Sequence, residues 1–146
     1  MPKVLVVEDN VLLADLVEDY LIYGGHEVCG IAGSVSKAVM MADQYRPDIA
    51  ILDYRLGDGA LGSHIRPLLA DKTSMKILYV SADDLQDVLT HKDGDAYLRK
   101  PYSIDDLLAS VRIVCALNVN VPCLPTLFPR NFYLLKSEMP RQWRAA

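Results

Sequence analysis

Apolar positions along this chain fall into two rhythms: short unbroken runs, and longer stretches with apolar residues every three or four positions. Lys3–Val7 (KVLVV) is a β-branched run that ends on Glu8 and Asp9 and predicts a strand. Val11–Tyr23 follows, with Leu12, Leu16, Tyr20 and Tyr23 at helical spacing, and Gly24 and Gly25 stop it. Glu27–Ala32 predicts a second strand, and Ser34 stands where it caps a helix over Val35–Tyr45, closed by Pro47. Residues 49–52 form a third buried run, and 61–70 a weaker helix interrupted by Pro67. Residues 76–80 (KILYV) predict a fourth strand and 83–91 a short helix. Ala96–Arg99 predicts a fifth strand, and Ser103 caps a helix over 104–117.

Five strands alternating with five helices imply an α/β fold: a parallel sheet with helices on both faces. Right-handed crossovers leave few topologies, and the doubly wound, flavodoxin-like order 2-1-3-4-5 is the commonest for five strands. In that order ligands bind outside the carboxyl ends of the strands.

The length of 146 residues suits about one domain, able to bury roughly 70% of its unfolded surface. With 51% apolar and 23% charged residues, the composition excludes disorder as the main state. No apolar run approaches the ~20 residues that span a bilayer, and Glu8 and Asp9 interrupt the run nearest the N-terminus before it resembles a signal peptide. Cys29, Cys115 and Cys123 follow no metal-ligand spacing, which points to a reduced, cytoplasmic protein with incidental thiols. A net charge of −4 argues against a nucleic-acid surface over the whole chain.

That charge is unevenly divided. Residues 118–146 carry +3, leaving −7 on residues 1–117. The same boundary marks a change of texture, because Pro122, Pro125, Pro129 and Pro140 follow it without any regular apolar period. The expectation is a domain over 1–117 and a basic, partly apolar tail over 118–146. The tail is expected to be partly disordered, with docking onto the domain as the alternative. It is short for a DNA-binding output domain and shows no helix-turn-helix, so direct DNA binding is not expected.

The residues at the strand ends carry the chemistry. Strand one ends in Glu8 and Asp9, strand three in Asp53, strand four in Ser81, and strand five in Arg99, Lys100 and Pro101. In the expected order Asp9 and Asp53 are neighbours, Ser81 flanks Asp53, and the long stem of Lys100 brings its ammonium towards Asp53. Any one of these residues alone reads as a helix cap or a solvated charge. Their joint arrival at one rim has no such explanation. Like charges ~4 Å apart repel by about 4 kcal/mol at an effective dielectric of 20, and a hard cation such as Mg²⁺ relieves the repulsion.

The elements VLVVEDN (4–10), AILDYRLGDG (50–59), YVSA (79–82) and AYLRKPY (96–102) resemble, in this order and spacing, the response-regulator receiver domain of two-component signalling. The resemblance spans about residues 3–117. It implies that Asp53 is phosphorylated by a sensor histidine kinase or a phosphotransfer protein. Asp9, the Asp53 side chain and the Arg55 backbone carbonyl would bind Mg²⁺, with Glu8 acting through a water. Ser81 would hydrogen-bond the phosphoryl group, Lys100 would pair with its oxygens, and Tyr97 would be the switch aromatic. Pro101 matches a proline whose preceding peptide bond is usually cis. The family is not enzymatic beyond its own phosphorylation and dephosphorylation. Its stand-alone members signal by contact with a downstream protein, and a homodimer is compatible.

This chain has Glu–Asp where many receivers have Asp–Asp, and Ser81 where threonine is more frequent. Arg55 and Asp83, each two residues past a site residue, are expected to approach one another over the site and impede the attacking water. Three other readings are weaker, the first a phosphorylation-independent interaction module, which the intact set of Asp9, Asp53, Ser81 and Lys100 makes less attractive. A phosphohydrolase of the haloacid-dehalogenase type needs a second aspartate two residues past its nucleophile, where Arg55 stands, and carries that nucleophile on the first strand. A nucleotide-binding flavodoxin-like protein needs a glycine-rich phosphate loop after the first strand, and none is present.

Overall fold

The central β-branched runs are apolar at nearly every position, so they bury both faces of one sheet. A computed structural model describes residues 2–56, 65–68, 74–117 and 128–135. Strands β1 (Lys3–Val7), β2 (Glu27–Ala32), β3 (Ile49–Asp53), β4 (Lys76–Ser81) and β5 (Ala96–Arg99) are parallel, in the expected order 2-1-3-4-5. Central strands β1 and β3 carry buried residues at almost every place, as parallel strands covered on both faces must.

Helices α1 (Val11–Tyr23) and α3 (Ile104–Ala116) cover one face through Ala14, Leu21, Leu107, Val111 and Val114. Helix α2 (Val35–Tyr45) covers the other through Ala38 and Ala42. The ends are set locally. Ser34 Oγ accepts from Lys37 N–H at 3.2 Å, and Ser103 with Asp106 forms a reciprocal capping box. Gly24 closes α1, and Gly25 follows at φ 85°, a conformation that glycine adopts without steric cost. Asn10 caps α1 by accepting from Leu12 and Leu13 N–H at 3.1 and 3.2 Å, fixing the turn that carries Glu8 and Asp9.

Three expectations change. The sheet has six strands rather than five, because β6 (Phe132–Leu134) pairs antiparallel with the outer edge of β5. Phe132 and Leu135 are buried there, so residues 128–135 dock on the sheet, the alternative raised for the tail, while the rest of 118–146 lies outside the described residues. The helix expected over 83–91 is instead a series of turns. Leu85 and Leu89 do bury at their four-residue spacing, and Leu89 N–H reaches Leu85 O at 3.0 Å. Polar side chains then capture the backbone. Asp84 Oδ1 accepts from Gln86 N–H at 3.1 Å, Asp93 Oδ2 from Thr90 N–H at 2.9 Å, and Thr90 Oγ1 from Lys92 N–H at 3.3 Å. Such local bonds compete with the helical ladder. Of the helix expected over 61–70, a 3₁₀ turn at Arg66–Leu68 is present, and positions 61–64 and 69–70 lie outside the described residues.

Among the described residues no helix is long and apolar enough to cross a membrane. Cys29 and Cys115 are free thiols, and Cys123 lies outside the described residues.

Candidate functional site

The site sits at the carboxyl rim of the sheet. Register places Asp53 beside Val80, so Ser81 lies one step further along the neighbouring strand, and Ser81 in turn pairs with Arg99 on β5. Lys100 follows at once, its N–H donating to Ser81 O at 2.8 Å, and the Lys100–Pro101 peptide bond is cis, as the resemblance led one to expect.

Glu8, Asp9 and Asp53 offer carboxylate oxygens that all lie within 4.8 Å of one another. Their surroundings differ. Glu8 is buried at 9% exposure, Asp53 is half-buried and Asp9 faces solvent. Among the described residues Glu8 Oε2 has no hydrogen-bond partner. Burial, contact with Asp53 and the charges of Asp53 and Asp9 push the Glu8 carboxyl up to about 8, while Lys100 opposes them. A buried, unsatisfied carboxylate oxygen facing two further acids is a donor set suited to a hard cation, and the cluster could bind a metal.

Glu8, Asp53 and Lys100 line one cavity of about 360 Å³, walled by Leu13, Leu16 and Tyr102. The Arg55 N–H donates to Asp53 Oδ1 at 3.2 Å, which sets the Arg55 peptide beside the carboxylate. Ser81 is 3% exposed, and its Oγ accepts from Asp83 N–H at 2.9 Å. Arg55 Nε meets Asp83 Oδ2 at 2.8 Å, with side chains 69% and 49% exposed, so these residues do approach one another as expected. Tyr97 is fully buried, its hydroxyl donating to Asp84 Oδ1 at 2.7 Å. That bond holds the Asp84 carboxyl below the ordinary carboxylate range.

The response regulator receiver domain family matches residues 4–112. The chain belongs to that family. Among its relatives, the probable transcriptional regulatory protein TcrX of Mycobacterium tuberculosis is 32% identical over 112 residues, 75% of this chain and 47% of that protein. The transcriptional regulatory protein PdtaR of the same species is 30% identical over 114 residues, 76% of this chain and 55% of that protein. This receiver chain therefore spans about half the length of the curated relatives it matches. Among solved structures, the signal receiver domain of a modulated diguanylate cyclase from Desulfovibrio desulfuricans G20 superposes with a TM-score of 0.66 at 29% identity, covering 79% of this chain and 94% of that one. The receiver domain of the putative response regulator NarL from Mycobacterium tuberculosis, at 22% identity and a TM-score of 0.70, supports the fold. Receiver domains are signalling modules rather than ordinary enzymes, and they interact with histidine kinases or phosphotransfer proteins.

Sequence reasoning missed three residues around the site. Asn10 carries a capping signal that went unread. Asp84 stands in a run of two acids, and nothing local marks it as the partner of Tyr97. Tyr133 stacks on Tyr97 with centroids 5.0 Å apart from a segment lacking any strand period.

Proposed function

We propose that this receiver accepts a phosphoryl group on Asp53 from the phosphohistidine of a histidine kinase or phosphotransfer protein, in a Mg²⁺-dependent reaction, and signals by protein contact. The observation that carries the reading is the gathering of Glu8, Asp9 and Asp53 within 4.8 Å, in a site whose cavity also includes Lys100.

An Asp53 oxygen attacks phosphorus as the phosphorus–nitrogen bond of the donor breaks, its electron pair leaving with the imidazole. Transfer through a loose transition state needs alignment and charge neutralisation more than covalent help. Asp9, Asp53 and the Arg55 carbonyl, with Glu8 through a water, would hold Mg²⁺, which supplies positive charge against the phosphoryl oxygens. Lys100 adds an ammonium from β5, and the Ser81 hydroxyl donates to the bound group. Leu13 and Leu16 on α1, each 43% exposed, line the cavity, an apolar surface on which a donor protein docks. The bond of Tyr97 to Asp84, in the segment after Ser81, supports its role as a switch. The domain over 1–117 is proposed as the phosphoacceptor unit.

Incubation with acetyl phosphate and Mg²⁺, followed by intact-mass measurement, tests the reading. Wild type should gain the mass of one phosphoryl group, with Asp53→Ala unchanged. Absence of a labile adduct on wild type, or its persistence on Asp53→Ala, rejects it.

A further inference from the structure

The outer edge of β5 is covered by a segment that the strand–helix alternation does not require. Tyr133 stands opposite Tyr97 and Phe132 opposite Leu98. Backbone bonds close the pairing at both ends, from Arg99 N–H to Asn131 O at 2.9 Å and from Leu135 N–H to Asp95 O at 3.0 Å. A three-residue strand holds weakly by itself. Its grip depends on the Tyr97–Tyr133 stack, whose rings lie 23° from parallel, and on buried Phe132 and Leu135.

Tyr97 joins that edge to the acidic site. Its hydroxyl is held by Asp84, at the end of the segment 81–84. Two further bonds hold the segment: Asp83 N–H to Ser81 Oγ, and Arg55 Nε to Asp83 Oδ2. Both involve residues that adjoin Asp53, because Ser81 follows Val80, the register partner of Asp53, and the Arg55 N–H donates to Asp53 Oδ1. A dianion with three acceptor oxygens accepts from the Ser81 hydroxyl and competes with Asp83 for the Arg55 guanidinium. Drawing Ser81 and Arg55 towards it loosens the segment, and the Asp84–Tyr97 bond passes the shift to the ring under Tyr133.

We propose that the outer edge of β5 is a gated strand-binding surface. Residues 128–135 occupy it in the resting chain, and a phosphoryl group on Asp53 releases them. The bared edge then takes an extended segment of a partner protein that sets an aromatic side chain against Tyr97. The proposal rests on the phosphoacceptor reading of Asp53. The chemistry of the partner follows from the resident strand: an unpaired backbone edge supplies hydrogen bonds, and Phe-Tyr-Leu is a sequence that fits it.

The test uses the full chain. Hydrogen exchange is read at the Arg99 and Leu135 amides, with and without acetyl phosphate and Mg²⁺, while intact mass reports the adduct. Anisotropy of a labelled peptide with the sequence of residues 128–135 reads access to the edge. Phosphorylation should speed exchange at both amides, and tighten peptide binding, by about tenfold or more, the factor set by losing one hydrogen bond to a charged group. An adduct with unchanged exchange or unchanged peptide binding overturns the proposal.

Absence of an adduct sinks the reading of Asp53, and two variants of the unmodified chain then decide the inference. Tyr133→Ala removes the stack and Asp84→Ala removes the acceptor, with circular dichroism confirming that each is folded. Each should accelerate both amides and admit the peptide about tenfold better. If neither does, the edge is not gated by this chain of contacts.

Discussion

Replacing Asp53 by Asn removes one of three carboxylates whose oxygens gather within 4.8 Å, and the resting fold should become more stable. Two unit charges at 4.8 Å repel by about 3.5 kcal/mol at an effective dielectric of 20. Glu8, pushed up to about 8 by burial and the neighbouring carboxylates, adds little charge to that repulsion below this pH. Exposure of Asp9 and the nearby Lys100 screen the repulsion, leaving a net gain of about 1–2 kcal/mol for Asp53→Asn. For a domain of this size that is roughly a 3–10 °C rise in melting temperature. The pH dependence has a definite sign. The Glu8 carboxyl is raised above its ordinary 4.5, so the folded state binds the extra proton between about 4.5 and 8. Wild-type stability therefore falls as pH rises through that window. In Asp53→Asn two of the causes raising Glu8 are gone, and the fall should be shallower. Mg²⁺ should act unequally on the two proteins, stabilising wild type by about 2.7 kcal/mol at a hundredfold excess over its dissociation constant and the variant far less. Thermal melts at pH 6 and 8.5, in EDTA and in Mg²⁺, read all of this. A variant in EDTA that melts at or below wild type at pH 8.5, or an equal response to Mg²⁺, refutes the electrostatic account of the cluster.

Three further outcomes are expected. Arg55→Ala and Asp83→Ala each open the ion pair and should shorten the lifetime of phosphorylated protein by a few-fold, read by the decay of the intact-mass adduct; unchanged decay in both means the pair does not obstruct water. Gly94→Ala would set a methyl group 2.5 Å from Tyr79 Cε2, a fully buried ring whose hydroxyl is tied to Asp93 O at 2.7 Å. It should cost about 1–3 kcal/mol in urea unfolding, and a neutral result would show that the ring can yield. Ser103→Ala removes the capping box of α3 and should cost about 1 kcal/mol in the same assay without altering phosphorylation.

The sheet and the acidic rim were legible because their signals are local. KVLVV and KILYV are apolar at nearly every place, and only a strand covered on both faces buries such a run whole. Once the order of five parallel strands is set, the residues that end them fall at one rim without any knowledge of side-chain contacts. Glu8, Asp9, Asp53 and Ser81 needed no more than that. The segment 83–91 failed for the opposite reason. Leu85 and Leu89 give a helical spacing, but the acids and threonine before and after them bond to nearby amides, and that competition depends on geometry rather than on pattern.

The edge of β5 shows what a periodicity cannot carry. Phe132, Tyr133 and Leu134 are too few to declare a period, and Pro129 just before them reads as a breaker. What makes them a strand lies about 35 residues earlier: the open backbone of β5 and the face of Tyr97. An edge left bare invites pairing with other chains, and covering it is one of the ways proteins manage that hazard. Here the cover reaches the acidic site through one tyrosine hydroxyl and one aspartate, so protection of the edge and the chemistry of the rim are tied to the same few side chains. A cover joined in this way can respond to charge at Asp53, whereas one held by an extensive apolar interface could not.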